Sequence, residues 1–179
     1  MLDARVARTR SSLRNALMTL LEEKPFADIT IRDITAKANA GYATFFRHYE
    51  TKNALLHDLA ADEVAAMISL STQNSVVHNT SAITHAICAY VQKRRTLWSA
   101  LLTGGAAGML REEFLRQGRQ VAVARASMTW LPVELSVLFT IAGTVEVLAW
   151  WLRSGSDFDV DAAADILNRL VFTNIVQDK

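Results

Sequence analysis

Between Thr30 and Thr51 the chain has room for two short helices and a tight turn, and for little else. Thr30-Ile31-Arg32-Asp33 has the form of a capping box, in which a hydroxyl and a carboxylate three residues on each satisfy a backbone N–H left free where a helix begins. The helix it opens has Ile31, Ile34 and Ala38 for a buried face and then meets Asn39-Ala40-Gly41. Asn and Gly both tolerate left-handed backbone angles, so a tight turn is expected there. A third helix follows from Tyr42 to about Tyr49 (YATFFRHY); Glu50 to Asn53 breaks it, with Thr51 placed to cap a fourth. Upstream, Val6, Leu13, Ala16, Leu17, Leu20 and Leu21 recur at three- and four-residue spacing between Ala4 and Glu23, an amphipathic first helix closed by Lys24-Pro25.

Short helices joined by such a turn describe a helix-turn-helix, whose later helix enters the major groove of DNA. The side chains carry more weight than the outline. Of the aromatics in YATFFRHY, Phe45 is assigned to the core, which leaves Tyr42, Ala43, Thr44, Phe46, Arg47 and His48 to reach bases or phosphates. Charge is distributed in the same sense: the net charge is only +1, yet residues 1–57 hold nine Lys/Arg against six acids while the remainder is slightly acidic.

The fourth helix carries Leu55, Leu56, Leu59, Val64, Met67 and Ile68, and the polar run Ser69 to Ser81 reads as a loop. The domains are read as 1–57 and 58–179. Further helices are expected at about 82–103, 107–129, 133–153 and 159–176, separated by Gly104-Gly105, Trp130-Leu131-Pro132 and Ser154-Gly155-Ser156. With no alternating strand pattern, and with 51% hydrophobic residues against only 7 Gly and 2 Pro, the fold class is all-α. Leu135 to Leu152 approaches the length of a membrane span, but Glu146 lies inside it and no second such segment exists, so a buried helix at a subunit interface is expected instead. Cys88, in an apolar run and without a disulfide partner, reads as a packed hydrophobe in a reducing cytoplasm. The N-terminus shows no signal-peptide core. His48, His57, His78 and His85 do not cluster with acids or with Cys88 at ligand spacing, and no catalytic motif appears; neither a metal, a cofactor nor an enzyme is expected.

The stretch PFADITIRDITAKANAGYATFFRHYETKNALLHDL resembles the DNA-binding signature of the TetR (tetracycline-repressor-like) family: a Thr-initiated helix, a short turn, a Thr-Phe-Tyr-x-His-Phe recognition helix and a lysine opening the next helix. The resemblance covers roughly residues 5–60. It implies that Thr44, Phe46 and His48 contact an operator, that Tyr49 is the closing aromatic, that Lys52 contacts phosphate, and that Thr30 and Arg32 reach the backbone. Asn39, Gly41 and Ala43 depart from the family's usual Gly, Ser and Gly. It further implies an N-terminal three-helix DNA-binding domain followed by a helical bundle that dimerises through its last two helices and holds a small-molecule pocket. The apolar residues Leu135, Leu138, Phe139, Ile141, Val145 and Leu148, with Ile166, Leu167, Leu170, Val171 and Ile175, suit such an interface, and Ala142, Gly143 and Ala149 suit close approach of helices. For an apolar or cationic effector the candidate lining is Tyr90, Trp98, Met109, Phe114, Trp130, Glu146 and Trp150. The reading is then of a cytoplasmic homodimer that represses a gene from a palindromic double-stranded DNA operator and is released by an effector. Two other readings of the same residues stay open: a DNA-binding regulator without an effector, and a ligand-sequestering dimer with an inactive head.

Overall fold

The computed structural model describes residues 2–73, 79–103, 107–122, 131–155 and 157–175, and every regular element among them is helical. The chain forms two units, residues 1–60 and 61–179.

In the first unit, α1 (Leu2–Glu23), α2 (Ile31–Lys37), α3 (Tyr42–Phe46) and the opening turns of α4 (Lys52–Gln73) enclose one core. Leu13, Leu17 and Leu20 of α1 meet Ile29, Ile34 and Phe45, with Leu55, Leu56 and Leu59 of α4 completing it; each is at most 5% exposed. The local signals hold. The Thr30 hydroxyl accepts from the Asp33 N–H (3.2 Å) while the Thr30 N–H donates to Asp33 Oδ2 (2.9 Å), and the Thr51 hydroxyl accepts from the Ala54 N–H at 3.0 Å. Lys24 Nζ, 2.8 Å from Asp33 Oδ2, holds that carboxyl at about 2, below its ordinary 3.8, with the two Thr30 hydrogen bonds adding to the effect.

In the second unit the rest of α4 is joined by α5 (Thr80–Lys93), α6 (Arg95–Thr103), α7 (Ala107–Ala122), α8 (Val133–Arg153) and α9 (Val160–Leu167). The last helix runs on through a π turn, Asn168–Phe172, and a closing turn, Thr173–Ile175. α5 packs along α9, while α6 and α7 both lie on α8. The core gathers Val64, Ile87, Cys88, Val91, Trp98, Leu101, Leu110, Leu148, Trp151 and Leu167. Cys88 is fully buried, and burial alone pushes its thiol up to about 12, so no thiolate forms near neutrality. α8 has the length and mean hydropathy (1.7) of a membrane span; 44% of that apolar window is buried, and the helix packs against α6, α7 and α9.

Two expectations are corrected. The loop read from Ser69 is helical through Gln73, where Ser71 returns its hydroxyl to the Ile68 carbonyl at 2.7 Å. The helix read at 82–103 breaks at Arg94, because Arg95 is drawn away to the end of α8. Its guanidinium donates to the carbonyls of Gly155 (2.6 Å), Trp151 (3.3 Å) and Leu152 (3.4 Å) and lies 5.2 Å from the centroid of the Trp151 ring. A cation there satisfies carbonyls that have no partner within the helix. The close approach expected at Gly143 is present within the chain, where a Cβ at Gly143 would stand 2.7 Å from Val171 Cγ2. The helix read to 129 is described as far as Ala122; the remainder lies outside the described residues.

Two outcomes follow. Ala gains about 1 kcal/mol over Gly inside a helix, but overpacking costs about 1–3 kcal/mol, and the β-branched Val171 has little room to yield. Gly143→Ala therefore lowers the thermal midpoint, and Val171→Ala in the same chain restores part of it; a single variant as stable as the parent contradicts the packing. Asp33, depressed in the folded state, contributes stability that is full above about pH 4 and lost as pH falls toward 2. Thermal midpoints of Asp33→Asn measured from pH 5 downward should lack that part of the parent's acid sensitivity.

Candidate nucleic-acid interface

The turn between α2 and α3 is made by Asn39. With φ +49° it occupies the left-handed region, the Asn39 N–H donates to the Ala36 carbonyl (3.2 Å), and the Ala40 N–H donates to the Thr35 carbonyl (2.9 Å). Together these bonds complete a Schellman motif that ends α2 and redirects the chain. Gly41 adopts an ordinary extended conformation (φ −68°) as the N-cap of α3 and does not draw on glycine's freedom.

α3 is shorter than expected, ending at Phe46 with Arg47 as its C-cap. Phe45 is fully buried. That inward anchor turns Tyr42 (51% exposed), Ala43, Phe46 (46% exposed) and Arg47 outward, with Thr44 and His48 half-buried. The Tyr42 and Phe46 rings meet edge to face at 5.2 Å, and Phe46 meets Phe45 in the same manner at 5.5 Å. Of the head's cations, Lys24 is paired with Asp33 and Lys37 with Glu23 (2.5 Å). Arg32 and Arg47 are exposed with no acidic partner among the described residues, and Thr30 stands exposed beside Arg32.

Two residues assigned to DNA by resemblance are placed differently. Tyr49 is only 6% exposed. Its hydroxyl donates to Asp58 Oδ2 (2.5 Å) and accepts from Arg10 Nε (3.3 Å), while Arg10 Nη2 reaches Asp58 Oδ1 at 2.6 Å. Burial first, then the Asp58 carboxylate, raises the phenol above its ordinary value and keeps it a donor. Lys52 spends all three ammonium donors on the carbonyls of Phe26 (2.9 Å), Ala27 (3.0 Å) and Ile29 (2.8 Å), 4.7 Å from the centroid of the Phe26 ring. Both are struts of the head. Arg10 and Asp58 were missed in sequence because they lie 39 and 9 positions from Tyr49 on other helices.

The six candidate effector residues that the structure describes do not form one site. Tyr90, Trp98 and Phe114 converge, with ring centroids 6.4 Å and 6.3 Å apart in sequence. The Tyr90 hydroxyl donates to the buried Glu63 (2.8 Å), which Arg94 also approaches at 3.3 Å, and burial together with Glu63 pushes the Tyr90 phenol up to about 12. Trp98 is fully buried, and its Nε1–H has no acceptor among the described residues. Met109 is half-buried on α7. Glu146 and Trp150 are exposed and border an open recess with Arg153, Phe158 and Leu170 instead. Trp130 lies outside the described residues.

Since Tyr49 joins α1 and α4 through one hydroxyl, Tyr49→Phe is expected to cost about 1–2 kcal/mol in urea unfolding, because Asp58 and Arg10 each lose a hydrogen bond. An unchanged midpoint would remove that role.

Residues 13–59 match the family model of bacterial regulatory proteins of the tetR family. An uncharacterised HTH-type transcriptional regulator of Bacillus subtilis, YxbF, is 44% identical over 68 residues, which are 37% of this chain; the chain spans 18% of that relative's length. Among solved structures, a TetR transcriptional regulator of Streptococcus agalactiae aligns with TM-score 0.65 at 23% identity, covering 94% of this chain and 96% of its own. NalD of Pseudomonas aeruginosa, the secondary repressor of the MexAB-OprM multidrug efflux pump, aligns at 0.66 and 16% identity over 97% and 98%. RolR in complex with resorcinol aligns at 0.63 and 19% identity over 95% and 90%. At such identities the likeness of the structures is one of fold. The helix-turn-helix of the first unit, over residues 13–59, is thus similar to that of bacterial regulatory proteins of the tetR family.

Proposed function

We propose that the chain is a cytoplasmic transcriptional regulator, not an enzyme, that holds a palindromic operator as a homodimer and represses the adjacent gene until a small-molecule effector releases it. The observation that carries this is the outward set Tyr42, Ala43, Phe46 and Arg47 on a helix anchored by Phe45, with Arg32 beside it as a second unpaired cation. Side chains of both kinds are what a duplex needs: cations for phosphate, and surface that fits between base edges.

Dimerisation is supported by the apolar residues that α8 and the end of α9 leave in water: Leu135, Leu138, Phe139, Trp150 and Leu170, the last 65% exposed. A cluster of that kind is costly on a monomer and self-complementary across a two-fold axis. Two heads then address two half-sites about one helical turn apart. Effector control is supported by the Tyr90–Trp98–Phe114 cluster, whose buried indole N–H seeks an acceptor. The ligand acts by binding more tightly to the dimer whose heads do not fit the operator. The similar fold of NalD, a secondary repressor, is compatible with repression, and that of RolR with resorcinol is compatible with a small aromatic effector.

The test is binding of the purified chain to duplex DNA from its own upstream region at several salt concentrations, alongside its mass in solution. A dimer with steep salt dependence is expected. Arg32→Ala and Arg47→Ala should each weaken binding across all sequences and reduce the slope of log K against log salt by about 1. If both variants keep the parent slope, the head does not bind DNA as proposed.

A further inference from the structure

We propose that the head reads its operator chiefly through thymine methyl groups, with Tyr42, Ala43 and Phe46 as the reading surface; the inference rests on the DNA-binding reading above. In the major groove guanine is read by Arg or Lys, adenine by Asn or Gln, and cytosine by Asp or Glu, each using two-point or strongly directed hydrogen bonds. None of those six residue types occurs in α3, whose sequence is Tyr-Ala-Thr-Phe-Phe. The polar groups it carries are two hydroxyls, of Tyr42 and Thr44, and a hydroxyl bonds several base edges indifferently. The remaining major-groove feature that distinguishes a base pair is the thymine C5 methyl, which is read by apolar contact.

α3 presents the matching surface. Tyr42 and Phe46 are 51% and 46% exposed, the highest exposures among the aromatics of the first unit. Their rings brace each other edge to face at 5.2 Å, and the buried Phe45 braces Phe46 from behind at 5.5 Å. Rings held in this way lose little rotamer freedom on docking. Ala43, exposed beside Tyr42, adds a methyl without bulk. Arg32 and Arg47 supply positive charge without an acidic partner among the described residues, which matches an anionic partner whose floor is apolar. Arg47 and Arg32, the side chains here able to grip guanine, both lie outside the five residues of α3, Arg47 at its cap and Arg32 on α2.

The experiment uses the unmodified full chain and a duplex it selects from a random pool. Thymines of the half-site are replaced one at a time by uracil, which deletes the C5 methyl and leaves every hydrogen-bonding group in place. Guanines are separately replaced by 7-deazaguanine, which deletes the N7 acceptor. Each contacted methyl is expected to be worth about four-fold in affinity, the equivalent of one buried methylene, while 7-deazaguanine changes affinity by less than two-fold. Tyr42→Ala and Phe46→Ala should each abolish the thymine–uracil difference at one position and leave the salt slope unaltered. Uracil without effect, whether or not 7-deazaguanine weakens binding, overturns the proposal while the DNA-binding reading survives. A chain that selects no duplex overturns both.

Discussion

A five-residue helix has no stability of its own, since one turn of backbone is fixed for very few hydrogen bonds. α3 therefore exists because Phe45 is drawn into the core and Tyr49, four residues on, is tied to Arg10 and Asp58. Everything the head shows to its partner depends on that pair of anchors. Exposure of Tyr42 and Phe46 is a consequence of Phe45 facing in, because side chains on one helical turn cannot all share a side. The same anchors join α3 to α1 and α4, so its exposed face is held in place although the helix is short.

What was legible in the sequence was what acts over a few residues. Thr30, Asp33 and Thr51 bond to backbone within three positions of themselves, and their caps stand where the residue types place them. Asn39 could be named as a turn residue, but its sharing of the turn with Gly41 was an overreading: only Asn39 takes a positive φ. Phe45 could be assigned to the core from the pattern of apolar positions around it.

What was not legible acts at a distance. The break at Arg94 has no Gly or Pro to announce it, because its cause is the end of α8, some sixty positions downstream. Tyr49 could be named as the closing aromatic, but not as a strut, since its partners come from α1 and α4. In the second unit the residue types of a ligand site were present, but helical spacing alone could not say which would meet. Tyr90, Trp98 and Phe114 converge, while Glu146 and Trp150 face elsewhere. The carboxylate beside the converging rings is Glu63, whose place one turn into the second unit gave no sign of it.

Lys52 carries a consequence for which replacements the head tolerates. An ammonium directs three N–H bonds outward from one point, and here three carbonyls of a single loop receive them. A guanidinium holds its donors in a flat fork on a larger frame, and cannot sit in that cup without spreading the loop. The exchange of Lys for Arg, mild on most surfaces, is thus a demanding one here. The loop constrains the shape of the cation at this position as well as its charge.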